Sequence, residues 1–421
     1  MMLNFFKRFA STLTLWGLLT LVIVPTLYIL RQVERYQPQA RGMVLGLYAN
    51  NPNFDYNEAL KRMASLGVRA TSLQFIYYMD QYFSNEIHSH PINSPTDETI
   101  RRTIRQARSL GMRVMLFPTL NLLGEARDDK YWRGNIQPTD WKRWWDNYEA
   151  FNIHFARLAQ EEGVEWYSVG TEMESSQSFN DQWMHLIRSV REVFKGKITY
   201  SVNFDAQDSF DFGEALDVIG MNTYDPITKE KDFPARETIY QHWWWIIFKA
   251  RALEVRFNKP AMITEIGYTS SESAHRDPWD FRSSSPPHPE RQGILMEEAL
   301  RVLQHWTEGE GVFYYLYGED LKPGVRPGGL LDRTFSPWGK PTEALLRDYL
   351  AIPKWNYEFW IGSYPLSPSV KNDAINQVVL SQLRRLQSGQ LKVLPSWVQK
   401  WGQTHPETFH ILQESVRMEK K

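Results

Sequence analysis

The sequence predicts an α/β protein: a (β/α)8 TIM barrel preceded by one transmembrane helix and followed by a short helical C-terminal extension. Three observations carry this reading. Eight short apolar segments alternate with longer amphipathic ones between Met43 and Tyr315. Several of the short segments are apolar almost throughout, as expected of parallel strands buried on both faces. Residues Leu13–Leu30, LTLWGLLTLVIVPTLYIL, carry no charge and are just long enough to cross a bilayer.

Taken in order, the apolar N-terminal run is flanked by Lys7 and Arg8 on one side and Arg31 and Arg35 on the other. No small-residue cleavage site follows Leu30, so the run reads as an uncleaved signal anchor. Pro25 within it is tolerable in a membrane helix. A short tail before the run and a large body after it place the body on the extracytoplasmic (periplasmic or outer) side of the cytoplasmic membrane. Residues 32–41 form a polar tether. The expected divisions are 1–40 for anchor and tether, 41–352 for the barrel and 353–421 for the helical extension.

The eight strands are Met43–Tyr48, Ala70–Ile76, Arg113–Pro118, Trp166–Gly170, Ile198–Val202, Val218–Met221, Ala261–Thr264 and Val312–Tyr315. Helical patterns cover Tyr56–Leu66, Asp97–Leu110, Trp141–Glu162, Asp181–Phe194, Glu237–Phe257 and Pro289–Trp306. Gly67 and Gly111 fit the left-handed position that ends a helix before the next strand. A doubly wound open sheet also alternates in this way, but no glycine-rich phosphate turn follows the first strand. Ser270–Pro289 is a polar, proline-rich loop long enough to suggest a function. Beyond residue 350, Ser369–Leu386 and Glu407–Met418 read as helices, with Ile375, Val378, Val379, Leu383 and Leu386 at helical spacing. They are too short for a domain of their own and are expected to pack on the barrel.

Composition excludes several functions. Lys and Arg total 48 against 49 Asp and Glu, so no basic excess marks a nucleic-acid binder. Cysteine is absent, which excludes a disulfide framework, a thiolate zinc site, an iron–sulfur cluster and a cysteine nucleophile. No H-E-x-x-H, G-x-S-x-G or G-x-x-x-x-G-K-[ST] motif occurs, and His88 and His90 in HSHP lack the carboxylate pattern of a metal site. No metal and no organic cofactor is expected.

In a parallel barrel the ligand site lies at the C-terminal ends of the strands. The fourth strand runs into Thr171-Glu172-Met173-Glu174 and the seventh into Glu265-Ile266-Gly267-Tyr268. A strand-end Glu alone can cap a helix or pair with an arginine. Two carboxylates facing each other across a barrel mouth suit glycoside hydrolysis. One is held protonated to donate to the leaving oxygen; the other stays ionised to attack the anomeric carbon or activate water. Glu174 competes with Glu172, which is preferred because it directly follows the apolar strand.

Other strand ends supply Gln74 and Tyr77, Thr119 and Asn121, Asn203 and Asp205, Asn222, Tyr224 and Asp225, and Tyr315 and Tyr317. A phenol bonded to a carboxylate keeps it ionised and aimed, a role open to Tyr224 for Glu265. Aromatic residues make up 14% of the chain. Trp141, Trp144 and Trp145 have helical spacing and should pack on the barrel wall; at least one ring of Trp243–Trp245 should face the core. Trp132, Trp279 and Trp338 lie in loops and are candidates for stacking on a sugar.

From about Gly42 to Tyr349 the sequence resembles glycoside hydrolase family 113, the clan A retaining barrels known for β-mannanase activity. The carrying phrases are Trp132-Arg133-Gly134 in YWRGNI, VGTEM with Glu172, TEIGYTS with Glu265, PWDF at Pro278–Phe281 and SPWGKP at Ser336–Pro341. The resemblance implies that Glu172 is the acid/base and Glu265 the nucleophile of a double displacement with net retention. Their carboxyl groups are then expected ~5–5.5 Å apart. It also implies that Tyr224 supports the nucleophile and that Asn203 lines the site. The chain departs from the family pattern at two places. Thr119 and Asn121 stand where a His and an acidic residue are expected, and the eighth strand reads FYYLYGE, so Tyr315 or Tyr317 replaces the Trp beneath the reacting sugar. These positions bear on which sugar is taken.

The function expected is thus a membrane-anchored retaining glycosidase acting on a β-linked polysaccharide or oligosaccharide, with Gln74, Trp132, Arg133, Asn203, Tyr224, Trp279, Tyr315 and Tyr317 around the substrate. The alternatives are a non-catalytic carbohydrate-binding or scaffold barrel in an envelope polysaccharide system, or a transglycosylase.

Overall fold

The computed structural model describes residues 39–123, 131–306, 309–317 and 328–351, scattered positions from 383 to 403, and 406–418. The predicted anchor, and the tether as far as residue 38, lie outside the described residues, as does most of the predicted helix Ser369–Leu386. Among the described residues no helix is long and apolar enough to cross a membrane.

Eight parallel strands close into a barrel in sequence order. They are β1 (Ala40–Gly46), β2 (Ala70–Met79), β3 (Arg113–Leu122), β4 (Trp166–Thr171), β5 (Lys197–Val202), β6 (Val218–Asn222), β7 (Ala261–Ile266) and β8 (Gly311–Tyr317). The ring closes where β1 pairs with β8, Ala40 opposite Gly311. Helices cross between them: α1 (Asn57–Ser65), α2 (Asp97–Ser109), α3 (Trp141–Glu161), α4 (Asn180–Val193), α5 (Arg236–Phe257), α6 (Pro289–Leu303) and α7 (Pro341–Ala351). A further helix, α8 (Pro406–Met418), lies in the C-terminal extension. The crossing from β5 to β6 has no α-helix. Two short 3-10 turns at Gln207–Ser209 and Gly213–Ala215 replace it, and Phe210, Phe212 and Leu216 bury fully there to cover the strands.

Local chemistry sets the boundaries. Thr96 caps α2 by accepting from the Thr99 N–H, and Asp140 caps α3 by accepting from Arg143 N–H. Pro289 occupies the first turn of α6, where its missing N–H costs nothing. Gly67 and Gly111 adopt φ of 90° and 77°, the left-handed geometry expected at the ends of α1 and α2. The first strand begins at Ala40, before the expected start, so Ala40 and Arg41 belong to the barrel and not to a tether. Arg41 donates to the Tyr349 carbonyl at 2.9 Å, tying β1 to α7. The same strand ends at Gly46, short of Tyr48, while β2 and β3 pair onward to Met79 and Leu122.

The core has two layers. Inside the barrel, Val44, Met115, Phe117, Trp166, Met262 and Phe313 fill the lumen. Gly42 makes room for Phe313: a Cβ there would lie 2.6 Å from the ring and 2.6 Å from the Ala70 carbonyl oxygen. Between strands and helices lies a larger layer rich in rings. Trp144 stacks on Tyr148 at 4.8 Å, and Trp183 stacks on Phe212 at 4.8 Å. Each such ring removes ~150–250 Å² from water, which makes this layer the main stabilising mass of the fold. Of the three consecutive tryptophans of α5, Trp243 is fully buried and donates to the Tyr268 hydroxyl, whereas Trp245 is exposed.

Candidate active site

The strand ladders shift register between Ser168 and Thr171, between Met221 and Asn222, and between Ile263 and Ile266. Such irregularities re-aim side chains at the rims of barrels. Here they fall at the ends of β4, β6 and β7, beside Glu172 and Glu265. Glu265 lies within β7, paired with Asn222. Glu172 follows β4 directly, its N–H donating to the Ser201 carbonyl at 2.9 Å. Its φ is 53°, a left-handed conformation that costs a non-glycine residue about 1 kcal/mol or more. Both carboxylates are 5% exposed, so neither is balanced by bulk water and each must be served by neighbours.

Those neighbours differ. Glu265 is held by neutral donors: the Tyr224 hydroxyl at 2.7 Å on Oε2 and the Gln74 amide at 2.7 Å on Oε1. Tyr48 donates in turn to Gln74 Oε1 at 3.0 Å, which fixes the amide so that its N–H faces the carboxylate. Glu172 is held by a cation. Arg133 Nη2 donates to its Oε2 at 2.6 Å, and Asn222 Nδ2 donates to its Oε1 at 2.9 Å. Thr264 donates to Asn222 Oδ1 at 2.9 Å, setting the direction of that amide. Burial raises the Glu265 carboxyl to about 7, and the nearby Glu172 adds to the rise; Tyr224, Gln74 and Arg133 oppose it. The hydroxyls of Tyr224 and Tyr48 are pushed well up, mainly by burial, so both act as donors throughout the neutral range.

The remaining expected residues divide between this centre and its surroundings. Tyr315 is at the centre: its ring meets Tyr224 edge-on at 6.1 Å, and its hydroxyl is a hydrogen-bond partner of Tyr48. Tyr317 is not. It belongs to the layer between strands and helices and packs edge-on against Trp338, so of the two tyrosines only Tyr315 faces the mouth. Trp338 is half-buried beneath the Arg62 guanidinium and closes the fold. Asn203 reaches neither catalytic candidate; it donates to Glu174 at 2.8 Å and holds that third carboxylate aside. Burial raises the Glu174 carboxyl, with Asp205 and Glu172 adding to the effect.

Trp132 folds over its own loop: its ring fills the space where a Cβ of Gly134 would be and lies 5.7 Å from the Arg133 guanidinium. Trp279 is 41% exposed and stacks on Phe204 at 5.7 Å, a flat aromatic pair at the rim. The loop that carries it closes through an antiparallel bridge between Ser271 and Pro287. Thr119 and Asn121 bond to backbone groups, the Phe75 carbonyl and the Leu122 N–H. His88 bonds to Asp80 and His90 accepts from two loop N–H groups, so both are engaged in loop structure. Among the described residues no group of three or more His, Asp or Glu side chains is placed to hold a metal ion. Tyr48 and Thr264 are the residues that strand-end reasoning passed over. Tyr48 was legible only as the end of the first strand, and the register that turns it toward Gln74 is a property of the closed barrel.

A closed parallel barrel whose mouth holds two buried, differently supported carboxylates defines a barrel glycosidase. The model for Glycoside Hydrolase Family 113 matches residues 44–324, and the chain belongs to that family. Among solved structures it is similar to the GH113 β-mannanase AaManA from Alicyclobacillus acidocaldarius, at 22% identity and a TM-score of 0.64 over 75% of this chain and 98% of that one. A GH113 β-1,4-mannanase matches at 21% identity and a TM-score of 0.67, over 75% and 100%. A GH5_18 protein from Streptomyces cattleya matches at 12% identity and a TM-score of 0.52, over 89% and 97%. At these identities the likeness is one of fold. No curated protein matches the sequence.

Proposed function

We propose that the protein is a retaining glycosidase that cleaves a β-linked polysaccharide or oligosaccharide by double displacement, with Glu265 as nucleophile and Glu172 as acid/base. The observation that carries this is the pair of buried carboxylates at the ends of β4 and β7, one held by neutral donors and one by a cation and an amide. Tyr224 and Gln74 aim the two oxygens of Glu265 while leaving it free to bond to carbon. Glu265 attacks the anomeric carbon, and the bond to the leaving oxygen breaks as Glu172 gives that oxygen its proton. A glycosyl ester on Glu265 results. Glu172, now ionised, takes a proton from water, whose oxygen displaces Glu265 and returns the sugar with its original configuration.

The resting site is not yet in this state. Glu172 is bound to Arg133, and the raised carboxyl of Glu265 holds a proton below about pH 7. Substrate binding therefore has to release Glu172 from Arg133, and Glu265 has to be ionised before it can attack.

Solved members of the family include β-1,4-mannanases, so β-1,4-mannan is the first glycan to offer. We also read Leu13–Leu30 as an anchor that holds the barrel at the outer face of the cytoplasmic membrane, on the strength of its uncharged sequence. The test is a panel of β-linked glycans given to the full chain, with Glu265→Ala and Glu172→Ala beside it. Both variants should lose hydrolysis, and azide should restore the Glu265→Ala reaction with an inverted glycosyl azide as product. Cleavage undiminished in both variants rules the assignment out.

A further inference from the structure

We propose that Phe335 is a positioning residue for the reaction: its ring fixes Tyr224 and Tyr315 at the mouth and so aims the phenol that serves Glu265. This rests on the glycosidase reading and adds a support to the nucleophile of the same site.

Tyr224 lies two residues beyond the end of β6, past the last pair of its ladder with β7. Thr223 ties the chain there to the Glu265 carbonyl through its N–H and its hydroxyl, both at 3.0 Å. The direction of the Tyr224 ring is then set by the rings it touches. Tyr315 meets it edge-on at 6.1 Å and Phe335 at 6.0 Å, while Phe335 meets Tyr315 edge-on at 5.1 Å. Edge-on contact is a favoured geometry for each pair, so the three rings hold one another's planes. Phe335 alone of the three brings no hydroxyl to the site. It is 5% exposed yet belongs to neither layer of the core. Its apolar area is buried at the mouth, against the two tyrosines.

The backbone beneath this ring is pinned from several sides. The Phe335 carbonyl accepts from the Tyr314 hydroxyl of β8 at 2.7 Å and from the Gln292 amide of α6 at 3.3 Å. The Thr334 carbonyl accepts from Lys340 Nζ at 2.9 Å and from the Ser270 hydroxyl at 3.3 Å. Lys340, its side chain fully buried, also pairs with Asp332 at 3.2 Å. Gly267, directly after β7, makes room for the wedge. A Cβ there would lie 2.2 Å from the Tyr315 carbonyl oxygen and 3.1 Å from the Phe335 ring.

The consequence reaches Glu265. Its carboxyl is raised by burial and by Glu172, and lowered by Tyr224, Gln74 and Arg133; the other titratable groups that face it, Tyr48 and Tyr315, are neutral phenols. A Tyr224 ring free to swing bonds the carboxylate less well. Glu265 then keeps its proton to higher pH, and less of it is ready to attack.

The experiment titrates the full chain, labelled with carboxyl-13C glutamate, by NMR. The Glu265 signal is the one that Glu265→Gln lacks. Phe335→Ala should raise its midpoint by about 0.5 or more, and Phe335→Leu, which keeps bulk without the flat ring, should move it part of the way. Tyr224→Phe raises the midpoint by itself, and adding either Phe335 variant should raise it no further. No upward movement, or the same movement with and without the Tyr224 hydroxyl, overturns the proposal. If Phe335→Ala does not fold, Phe335→Leu in both backgrounds decides by the same criterion. The titration needs no substrate, so its failure leaves the glycosidase reading standing. Glycan cleavage undiminished in Glu265→Ala overturns that reading and leaves the titration as it is.

Discussion

Asn222 donates its side-chain amide to Glu172 at 2.9 Å while its backbone stands opposite Glu265 in the β6–β7 ladder. One residue thus ties together the strand ends that carry both carboxylates. Asn222→Ala removes the neutral donor on Glu172 and leaves Arg133 as its remaining side-chain partner. The expected result is a fall in kcat/KM of about 10²-fold for a glycoside with a poor leaving group, and a much smaller fall for an activated aryl glycoside that needs little proton donation. Equal losses on both substrates would mean that Asn222 serves binding or folding and not proton donation.

Tyr224→Phe tests the other carboxylate. The phenol bond lowers a Glu265 carboxyl that burial has raised. Without it the protonated form persists to higher pH, so the acidic limb of the kcat/KM profile should move upward. At pH 6 the variant should lose about tenfold more activity than at pH 8. A uniform loss at all pH values would show that the hydroxyl positions substrate and does not tune the nucleophile.

Glu265→Gln should stabilise the fold at alkaline pH. The carboxyl is raised from its ordinary 4.5 to about 7, so the folded chain holds a proton more tightly than the unfolded chain between those values. Stability supplied by that proton is present below about pH 4.5 and is lost as pH rises through about 7. Glutamine never ionises and escapes this loss. Thermal unfolding should therefore find the variant more stable than the parent at pH 8, with the difference shrinking toward pH 4.5. A pH-independent difference would refute the coupling.

Trp279 and Phe204 present a flat, half-exposed pair beside the mouth. Trp279→Ala should raise KM for long oligosaccharides by about tenfold with little change in kcat, and should leave a disaccharide-length substrate unaffected. If the short substrate suffers equally, the ring supports the loop and not the glycan.

The barrel was legible because its strands are apolar runs and its helices end at glycines, both local properties. The ends of β2 and β3 were not, because Tyr77, Tyr78, Thr119 and Asn121 interrupt the apolar pattern just where the strands reach the mouth. The placement of Glu172 and Glu265 at the ends of β4 and β7 was readable, because each directly follows an apolar run. The pairing of Arg133 with Glu172 was not, since the two lie 39 residues apart and meet only in the folded barrel. Nor was the separation of Tyr315 from Tyr317, which depends on how β8 meets β1, where the ladder slips between Met43 and Leu45. Sequence marks candidates at strand ends; closure and register decide which of them meet.

The left-handed backbone at Glu172 has an evolutionary consequence. Glycine adopts that shape freely, and asparagine more readily than glutamate. A lineage relieved of chemistry would drift toward those residues at position 172 and gain stability as it did so. In this chain the left-handed position at the end of the fourth strand carries a carboxylate. Position 172 is therefore where to look, in any related chain, for the first sign that catalysis has been given up.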